Sequence, residues 1–235
     1  MAKYTKIEWT DSSWNPWHGC KKVSPGCANC YMYRGKKRFG KNGNTISRSK
    51  TTFDDPLHWQ SPRLIFACSW SDWFIEDADQ WRSEAWNIID RTPHHTYQIL
   101  TKRPERIEQN LPANWKDGYP NVWLGVSIEN QDYVYRKELL INIPAKIRFI
   151  SAEPLLGPVD FGNLTDIHWI ISGGESGPKA RPMSPEWAIS IKDQCLQAGI
   201  SYFHKQNGGK TKVGNAWGGR ILAGKTWDGI PYFGQ

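Results

Sequence analysis

"NVWLGVSIENQDYVYRKELLINIPAKIRFISAEP", residues 121–154, contains two short apolar runs on either side of a segment whose apolar residues follow helical spacing. Both runs are continuous and rich in β-branched and aromatic residues, which is typical of strands that are buried on both faces. A strand, a helix and a second strand in this order indicate a parallel sheet with helices packed outside it.

The same pattern recurs along the chain from residue 63 onward. Short buried strands are predicted in six segments, at residues 63–72, 96–105, 121–130, 146–154, 167–177 and 199–209. Helical spacing occurs between them, at residues 77–91, 104–111, 130–143 and 184–199. In the last of these, Ser184 before Pro185 is a typical helix start. With a first strand near "KIEW", residues 6–9, we predict an α/β fold: a partial or closed TIM-like βα barrel of about six or seven parallel strands.

Length and charge restrict the class of protein. The chain has 235 residues, which favours a single βα-barrel domain over residues 1–235. Its formal net charge of +7 makes nucleic acid or a nucleotide a candidate partner. No apolar run follows the opening residues, and no stretch approaches the roughly 20 apolar residues of a membrane span. We therefore expect a cytoplasmic protein with no membrane partner.

Polar residues follow the predicted strands at their carboxyl ends. In barrels and open α/β sheets, this edge is where ligands bind. The residues include Ser69, Asp72, Lys102, Arg103, Ser127, Glu129, Ser151, Glu153, Glu175, His204 and Lys205. Strand ends are also polar for purely structural reasons, but recurrence at six successive ends favours a ligand site.

Three of the five cysteines lie in one loop, residues 14–31. Cys20, Cys27 and Cys30 follow the spacing C-x6-C-x2-C, and nearby prolines and glycines exclude a continuous helix or strand. An odd number of cysteines in a chain of this size fits a metal site better than a disulfide framework. Zinc needs a fourth ligand, for which His18 is the only nearby candidate. Three thiolates without a fourth ligand suit an iron–sulfur cluster with one open iron.

Two basic segments lie outside the strand pattern. Residues 34–50 contain no acidic residue and are rich in glycine and asparagine, which predicts a mobile loop. The tail at residues 205–235 is also glycine-rich and basic. Either segment is a candidate to follow a phosphate backbone, and a solvated loop is the alternative.

Seven segments, distributed in order over nearly the whole chain, carry a family resemblance. They are TKIEWTDSSWNPWHGCKKVSPGCANCY, LTKRPER, LGVSIENQ, SAEPLLGP, ISGGESGPKARPM, FHKQNGG and GGRILAGKTWDGIP. Together they look like the three-cysteine-motif proteins of phages and bacteria, a family without an assigned function. That family in turn resembles a divergent branch of the radical S-adenosylmethionine (SAM) enzymes, close to the spore photoproduct lyase group.

The resemblance implies a partial βα barrel that carries a [4Fe-4S] cluster after its first strand. Cys20, Cys27 and Cys30 would bind three irons, and the amino and carboxylate groups of SAM would bind the fourth. Reductive cleavage of SAM would then yield a 5′-deoxyadenosyl radical that abstracts hydrogen from a substrate. The candidates for holding SAM are Ser69, Asp72, Lys102, Arg103, Ser127, Glu129, Ser151 and Glu153.

Two features depart from the usual radical SAM pattern, C-x3-C-x2-C with an aromatic residue before the last cysteine. Here six residues separate the first two cysteines, and Asn29 precedes the last one, with Tyr31 just beyond it. In radical SAM enzymes, the Gly-Gly-Glu motif that contacts the SAM amino group follows the second strand. The Gly-Gly-Glu of this chain, residues 173–175, follows the sixth strand, so that role is not transferred.

The cysteines outside the loop and the last strand complete the candidate set. Cys68 ends the second strand and is a candidate catalytic hydrogen donor, whereas Cys195 is expected in the core. His204 and Lys205 close the last strand, where they either contact substrate or cap the rim of the barrel.

The principal hypothesis is a radical SAM-like enzyme that uses an electron donor and acts on nucleic acid or a nucleotide. One alternative is a zinc-stabilised nucleic-acid-binding module without catalysis. The other is a non-catalytic barrel that keeps its cluster and acts through a dedicated protein partner encoded nearby.

Overall fold

Seven strands form one parallel sheet in the computed structural model, which describes residues 4–231. They are β1 (Ser12–Trp14), β2 (Leu64–Ala67), β3 (Thr96–Thr101), β4 (Val122–Ser127), β5 (Ile147–Ala152), β6 (Trp169–Gly173) and β7 (Ser201–Gln206). Neighbours in the sheet are consecutive in sequence, and every pairing is parallel. The sheet curls into a half-barrel, so the predicted α/β partial barrel is confirmed.

Alternation along the strands divides the apolar side chains between two faces of the sheet. On β4, Leu124 belongs to the large core cluster, whereas Trp123 belongs to a second, smaller cluster. The second cluster fills the concave face and includes Phe149 and Trp169, whose ring centroids are 5.6 Å apart. Both faces of the sheet are therefore buried, as the continuous apolar runs predict.

Four helices accompany the sheet: α1 (Tyr31–Arg38), α2 (Asp79–Asp90), α3 (Tyr135–Ile141) and α4 (Pro185–Ala198). Helix α3 packs against β4 and β5, and α4 packs against β6 and β7. Helix α2 contributes Trp86 and Ile89 to the large core cluster. These three helices fill the connections between parallel strands, as their periodicity predicts.

Short elements complete the described structure. Single 3₁₀ turns form at Pro25–Cys27, Asp55–His58, Glu76–Ala78, Pro104–Arg106, Glu108–Asn110 and Gln131–Tyr133. Two-residue antiparallel pairs join Trp17–His18 to Ser47–Arg48, and Lys212–Val213 to Ala216–Trp217. The helix predicted at residues 104–111 is therefore wrong, because only two 3₁₀ turns form there.

Two further expectations need correction. The first strand is Ser12–Trp14 rather than "KIEW", and Trp9 of that stretch instead lies in the concave cluster, 4.7 Å from Phe66 between ring centroids. The basic segment 34–50 is not a continuous loop, because α1 extends to Arg38 and Ser47–Arg48 pairs with Trp17–His18. Met32 is the single buried residue of α1, so the helix leaves no apolar periodicity from which the sequence could predict it.

Within residues 4–231, no helix is both long enough and apolar enough to cross a membrane.

Gly125 in β4 lies against the ring of Phe149 on the neighbouring strand. A Cβ atom at Gly125 would lie 2.5 Å from two carbons of that ring. We expect Gly125→Ala to lower the free energy of unfolding by about 1–3 kcal/mol, because the buried ring has no space to move. Gly157→Ala is the matched control, since its Cβ would meet only Asn130 Cβ at 3.5 Å. Equal unfolding midpoints in denaturant for the two variants would contradict this packing.

Candidate functional site

A cavity of about 210 Å³ lies at the carboxyl edge of the sheet. Its apolar wall includes Trp9, Phe66 and Leu100 from the concave face. Its polar wall consists of strand-end residues and of the loop that carries the three cysteines. Of the residues that the sequence predicts for the site, the following line this pocket: Cys20, Cys27, Cys30, Cys68, Ser69, Asp72, Lys102, Arg103, Ser127, Ser151, Glu153, Glu175 and Lys205.

The cysteine loop enters the pocket between β1 and α1. The backbone N–H of Cys20 donates to the carbonyl of Gly43 at 3.0 Å, which ties the first cysteine to the segment after α1. Cys27 ends the 3₁₀ turn Pro25–Cys27, and Cys30 is the N-cap residue of α1. All three cysteine side chains therefore line one cavity, although the loop before α1 contains only one short 3₁₀ turn after Cys20.

Glu129 follows β4 and holds the first part of the cysteine loop. It is completely buried, and its carboxylate accepts hydrogen bonds from Ser24 Oγ at 2.5 Å, Lys102 Nζ at 2.5 Å and Arg136 Nη1 at 3.0 Å. A Cβ atom on Gly26 would lie 2.5 Å from Glu129 Oε1, so only glycine fits at this point of the loop. Glu129 does not line the cavity itself and instead supports the residues that do.

The charge on Glu129 is compensated by its neighbours. Burial by itself would raise the pKa of this carboxyl group. The positive charges of Lys102 and Arg136, with the hydrogen bonds from Lys102 and Ser24, outweigh burial and hold the pKa below its usual value. Glu129 is therefore ionised at neutral pH and remains a hydrogen-bond acceptor for the cysteine loop.

Glu175, after β6, holds the second part of the cysteine loop. Asn29 Nδ2 donates to Glu175 Oε2 and to the carbonyl of Lys179, both at 2.9 Å. Arg181 binds both carboxylate oxygens and also donates to the carbonyl of Pro25 at 3.0 Å. Asn29, the residue before the last cysteine of the loop, thus bonds the cysteine loop to the loop after β6.

Arg103 lies beside the first cysteine. Its guanidinium nitrogen Nη1 lies 3.1 Å from Asp72 Oδ2 and 3.9 Å from Cys20 Sγ. Its Nη2 donates a hydrogen bond to the carbonyl of Lys21 at 2.8 Å. Asp72 also accepts from Thr101 Oγ1 at 2.7 Å and from the backbone N–H of Lys102 at 2.9 Å. These contacts join the ends of β2 and β3 to the cysteine loop.

The far wall of the pocket contains Glu153 and Lys205, which form an ion pair with an N–O distance of 3.0 Å. Ser151 donates to Glu153 Oε2 at 3.3 Å. A Cβ atom on Gly173 would lie 2.6 Å from Glu153 Oε1. The first glycine of the Gly-Gly-Glu stretch therefore leaves room for a strand-end carboxylate.

Burial favours the protonated form of the thiols of Cys20, Cys30 and Cys68. Burial, with a smaller effect of the negative charge of Asp72, raises the pKa of Cys20 to about 12. Burial also raises the pKa of Cys30, and it raises that of Cys68 well above its usual value. A metal ion that binds Cys20 and Cys30 must therefore displace protons, so that its affinity rises with pH.

Three other candidates lie away from the cavity wall. His18 belongs to the short strand Trp17–His18, and its ring centroid lies 6.4 Å from that of Trp70. His204 is buried on the outer face of β7 and bonds Ser172 Oγ at 2.9 Å and Asn207 Oδ1 at 3.0 Å. Cys195 is buried in the core, as expected. Of the last strand's two candidates, only Lys205 lines the pocket.

Several residues that shape the site were missed by sequence reasoning. They are Ser24, Gly26, Asn29, Arg136 and Arg181. Ser24 and Glu129 are 105 positions apart in the chain, and Asn29 and Glu175 are 146 positions apart. No spacing rule links residues at such separations, so only the folded chain identifies these partners.

Fold and site together define an α/β protein with a curled parallel sheet and a cysteine-lined pocket at its carboxyl edge. The chain belongs to the family described as protein of unknown function (DUF5131), whose model matches residues 4–231. Membership in a family without an assigned function agrees with the expectation from sequence. Comparison with curated proteins and with solved structures gives no match.

Replacement of Glu129 tests its role in holding the cysteine loop. We expect Glu129→Gln to lower the free energy of unfolding by about 3–5 kcal/mol, because Lys102 and Arg136 lose their buried counter-charge. Amide hydrogen exchange across residues 20–30 should accelerate as well. Glu138→Gln is the control, since Glu138 pairs with Lys137 with a side chain that is 58% exposed. Loss of this exposed ion pair should lower the free energy of unfolding by less than about 1 kcal/mol. Similar destabilisation by both variants would contradict the role of Glu129.

Proposed function

We propose that this chain is a radical SAM-like iron–sulfur protein that cleaves SAM reductively and abstracts hydrogen from a nucleic acid or nucleotide. One observation carries the proposal: the three loop cysteines and the hydroxyl groups of four strand ends line the same cavity. Those hydroxyl groups belong to Ser69, Thr101, Ser127 and Ser151. The resemblance to radical SAM enzymes implies this combination of thiols and strand-end groups.

Within the described part of the chain, no group of three or more His, Cys, Asp and Glu side chains is arranged to hold a metal ion. Cys20, Cys27 and Cys30 line one cavity, and three thiolates are the protein ligands of a four-iron cluster with one open iron. These cysteines are the residues that would hold a [4Fe-4S] cluster.

When bound together, the cluster and SAM would supply reductive cleavage and hydrogen abstraction, with an electron from an external donor. The chain itself orients the reactants and excludes water. The apolar wall of Trp9, Phe66 and Leu100 keeps water from the reacting groups. The hydroxyl groups of Ser127 and Ser151 offer hydrogen bonds to the polar groups of SAM.

Lys102 is the group that we assign to the carboxylate of SAM. Its ammonium has three N–H donors and bonds Glu129 with one of them. The remaining donors are available to a ligand carboxylate in the pocket. Because Glu129 already orients the ammonium, little side-chain entropy is lost when SAM binds.

Cys68 is the group that we assign as hydrogen-atom donor to the substrate radical that hydrogen abstraction would leave. The resulting thiyl radical would return to the thiol by taking up a proton and an electron from the external donor. It lines the pocket, and its backbone has a φ of 61°, which is uncommon for a residue other than glycine. Its N–H donates to the carbonyl of Trp14 at 2.8 Å, which fixes the backbone in this conformation. Since burial raises its pKa, Cys68 retains its S–H hydrogen at neutral pH.

The main alternative, a zinc-stabilised nucleic-acid-binding module, requires a fourth ligand in addition to the three cysteines. His18 is not among the residues that line the pocket. Burial, together with the positive charges of Lys36 and Lys41, lowers its pKa to about 4, so the imidazole is neutral and chemically able to bind metal. Metal analysis distinguishes this alternative from the cluster.

Anaerobically purified protein should contain about four irons and an equal amount of sulfide. The combined variant Cys20→Ala, Cys27→Ala, Cys30→Ala should lose both, because the cluster has no other thiolate ligands. Cys195→Ala is the matched control, since Cys195 is buried in the core outside the pocket, and this variant should retain both. One zinc per chain without sulfide would overturn the radical SAM proposal.

Reduced, cluster-loaded protein should convert SAM to methionine and 5′-deoxyadenosine. We expect Lys102→Met to weaken SAM binding at least about tenfold, compared with wild type at equal iron and sulfide content, because an ion pair to the SAM carboxylate is lost. Calorimetry measures the binding of SAM, and chromatography of the products measures its cleavage. A fully loaded protein that cleaves no SAM with any reductant would support the third reading, a barrel that acts through a protein partner.

A further inference from the structure

The segment from Ser12 to Phe53 has an unbalanced charge. It contains no aspartate or glutamate and nine basic residues: Lys21, Lys22, Arg34, Lys36, Lys37, Arg38, Lys41, Arg48 and Lys50. Two of these pair with carboxylates from elsewhere in the chain, Lys21 with Asp77 and Arg48 with Glu84. Most of the positive charge of this segment is therefore uncompensated.

The uncompensated charge is concentrated on α1 and the turn that follows it. Lys37, Arg38 and Lys41 are exposed, and none of them forms an ion pair within residues 4–231. Partial burial and the nearby charge of Lys41 lower the pKa of Lys36, so these two cations lie within electrostatic reach of each other. A surface of this kind attracts a polyanion.

An aromatic side chain stands among these cations. Phe39 is the C-cap residue of α1 and is 70% exposed. An exposed aromatic ring between lysines and arginines is the arrangement on which nucleic-acid bases stack while phosphates bind the cations. A single-stranded nucleic acid matches both features of this surface, because its phosphates pair with the cations and one of its bases stacks on the ring.

Helix α1 has a fixed position relative to the pocket. Its N-cap residue is Cys30, Arg34 Nη1 donates to the carbonyl of Ser176 at 3.0 Å, and a Cβ on Gly35 would lie 2.7 Å from the ring of Trp70. Phe39 lies nine positions after Cys30, which corresponds to a rise of about 14 Å along a helix. A bound strand on this surface therefore lies within a few nucleotides of the cysteine-lined pocket.

We infer that Lys37, Arg38, Lys41 and Phe39 form a docking surface for single-stranded nucleic acid. The three cations bind backbone phosphates and Phe39 stacks on a base, which directs the strand toward the pocket. The inference rests on the proposed function for the chemistry in the pocket, but the binding itself requires no cluster. Unpaired bases are needed for the stack, so the surface selects a single strand over a duplex.

The test is binding of fluorescently labelled single-stranded DNA and RNA, measured by anisotropy over a series of salt concentrations. The charge variant combines Lys37→Gln, Arg38→Gln and Lys41→Gln. The matched control combines Arg91→Gln, Lys116→Gln and Lys146→Gln, which removes the same charge from exposed sites that precede β3, β4 and β5, at the opposite edge of the sheet. Phe39→Ala tests the stack, and a duplex of the same sequence tests the preference for single strands.

We expect the charge variant to reduce the slope of log affinity against log salt by about 2, the value for three phosphate contacts on a single strand. Phe39→Ala should weaken binding about 5- to 150-fold, as for loss of one base–aromatic stack. The control should bind like the wild type. Equal weakening by control and charge variant, tighter binding of duplex, or no binding by the wild type would each overturn the inference.

Iron and sulfide are measured in the same preparations, so that the two proposals fail separately. One outcome is a protein that lacks a cluster and still binds single strands, with weaker binding in the charge variant and in Phe39→Ala. This result supports the docking surface and contradicts only the iron–sulfur assignment. A complete cluster in a protein that does not bind single strands contradicts only the docking surface. Binding of anionic phospholipid vesicles with the same dependence on Lys37, Arg38 and Lys41 and none on Phe39 would also overturn it.

Discussion

The buried carboxylate of Glu129 joins the cysteine loop to the carboxyl edge of the sheet, and these two parts form the pocket. It lies at the end of β4 and bonds Ser24 of the cysteine loop, Lys102 from the end of β3 and Arg136 of α3. A buried charge is stable only when all of its partners are in place, so the loop, the strand end and the helix must adopt one relative arrangement. The cysteine loop has no long element of its own and depends on this constraint.

Glu175 repeats the same principle at the other end of the loop, through Asn29 and Arg181. Two carboxylates at different strand ends therefore hold a segment that is rich in proline and glycine. The pocket is formed largely before any ligand binds, because its wall consists of groups already paired with one another, such as Arg103 with Asp72 and Lys205 with Glu153. A ligand that enters it finds oriented donors rather than free side chains.

Helix α1 connects the pocket to the outer surface. Its first turn follows Cys30, and its last turn presents the basic residues and Phe39 to solvent. The proposed chemistry and the proposed docking surface therefore share one rigid element. Substrate recognition on the outer part of α1 can then be separated by mutation from the chemistry at its base.

The sequence by itself determined the parallel sheet, most of its strands and the edge at which the pocket lies. Continuous apolar runs such as those at 121–130 and 146–154 are local signals, and the polar residues that follow them mark the carboxyl edge. Tertiary structure alone decided the role of Trp9, which fills the concave face instead of forming a strand, and the outward placement of His204. It also decided the partners of Ser24 and Asn29, because hydrogen bonds across more than 100 residues depend on the packing of the whole sheet and leave no periodic pattern in the chain.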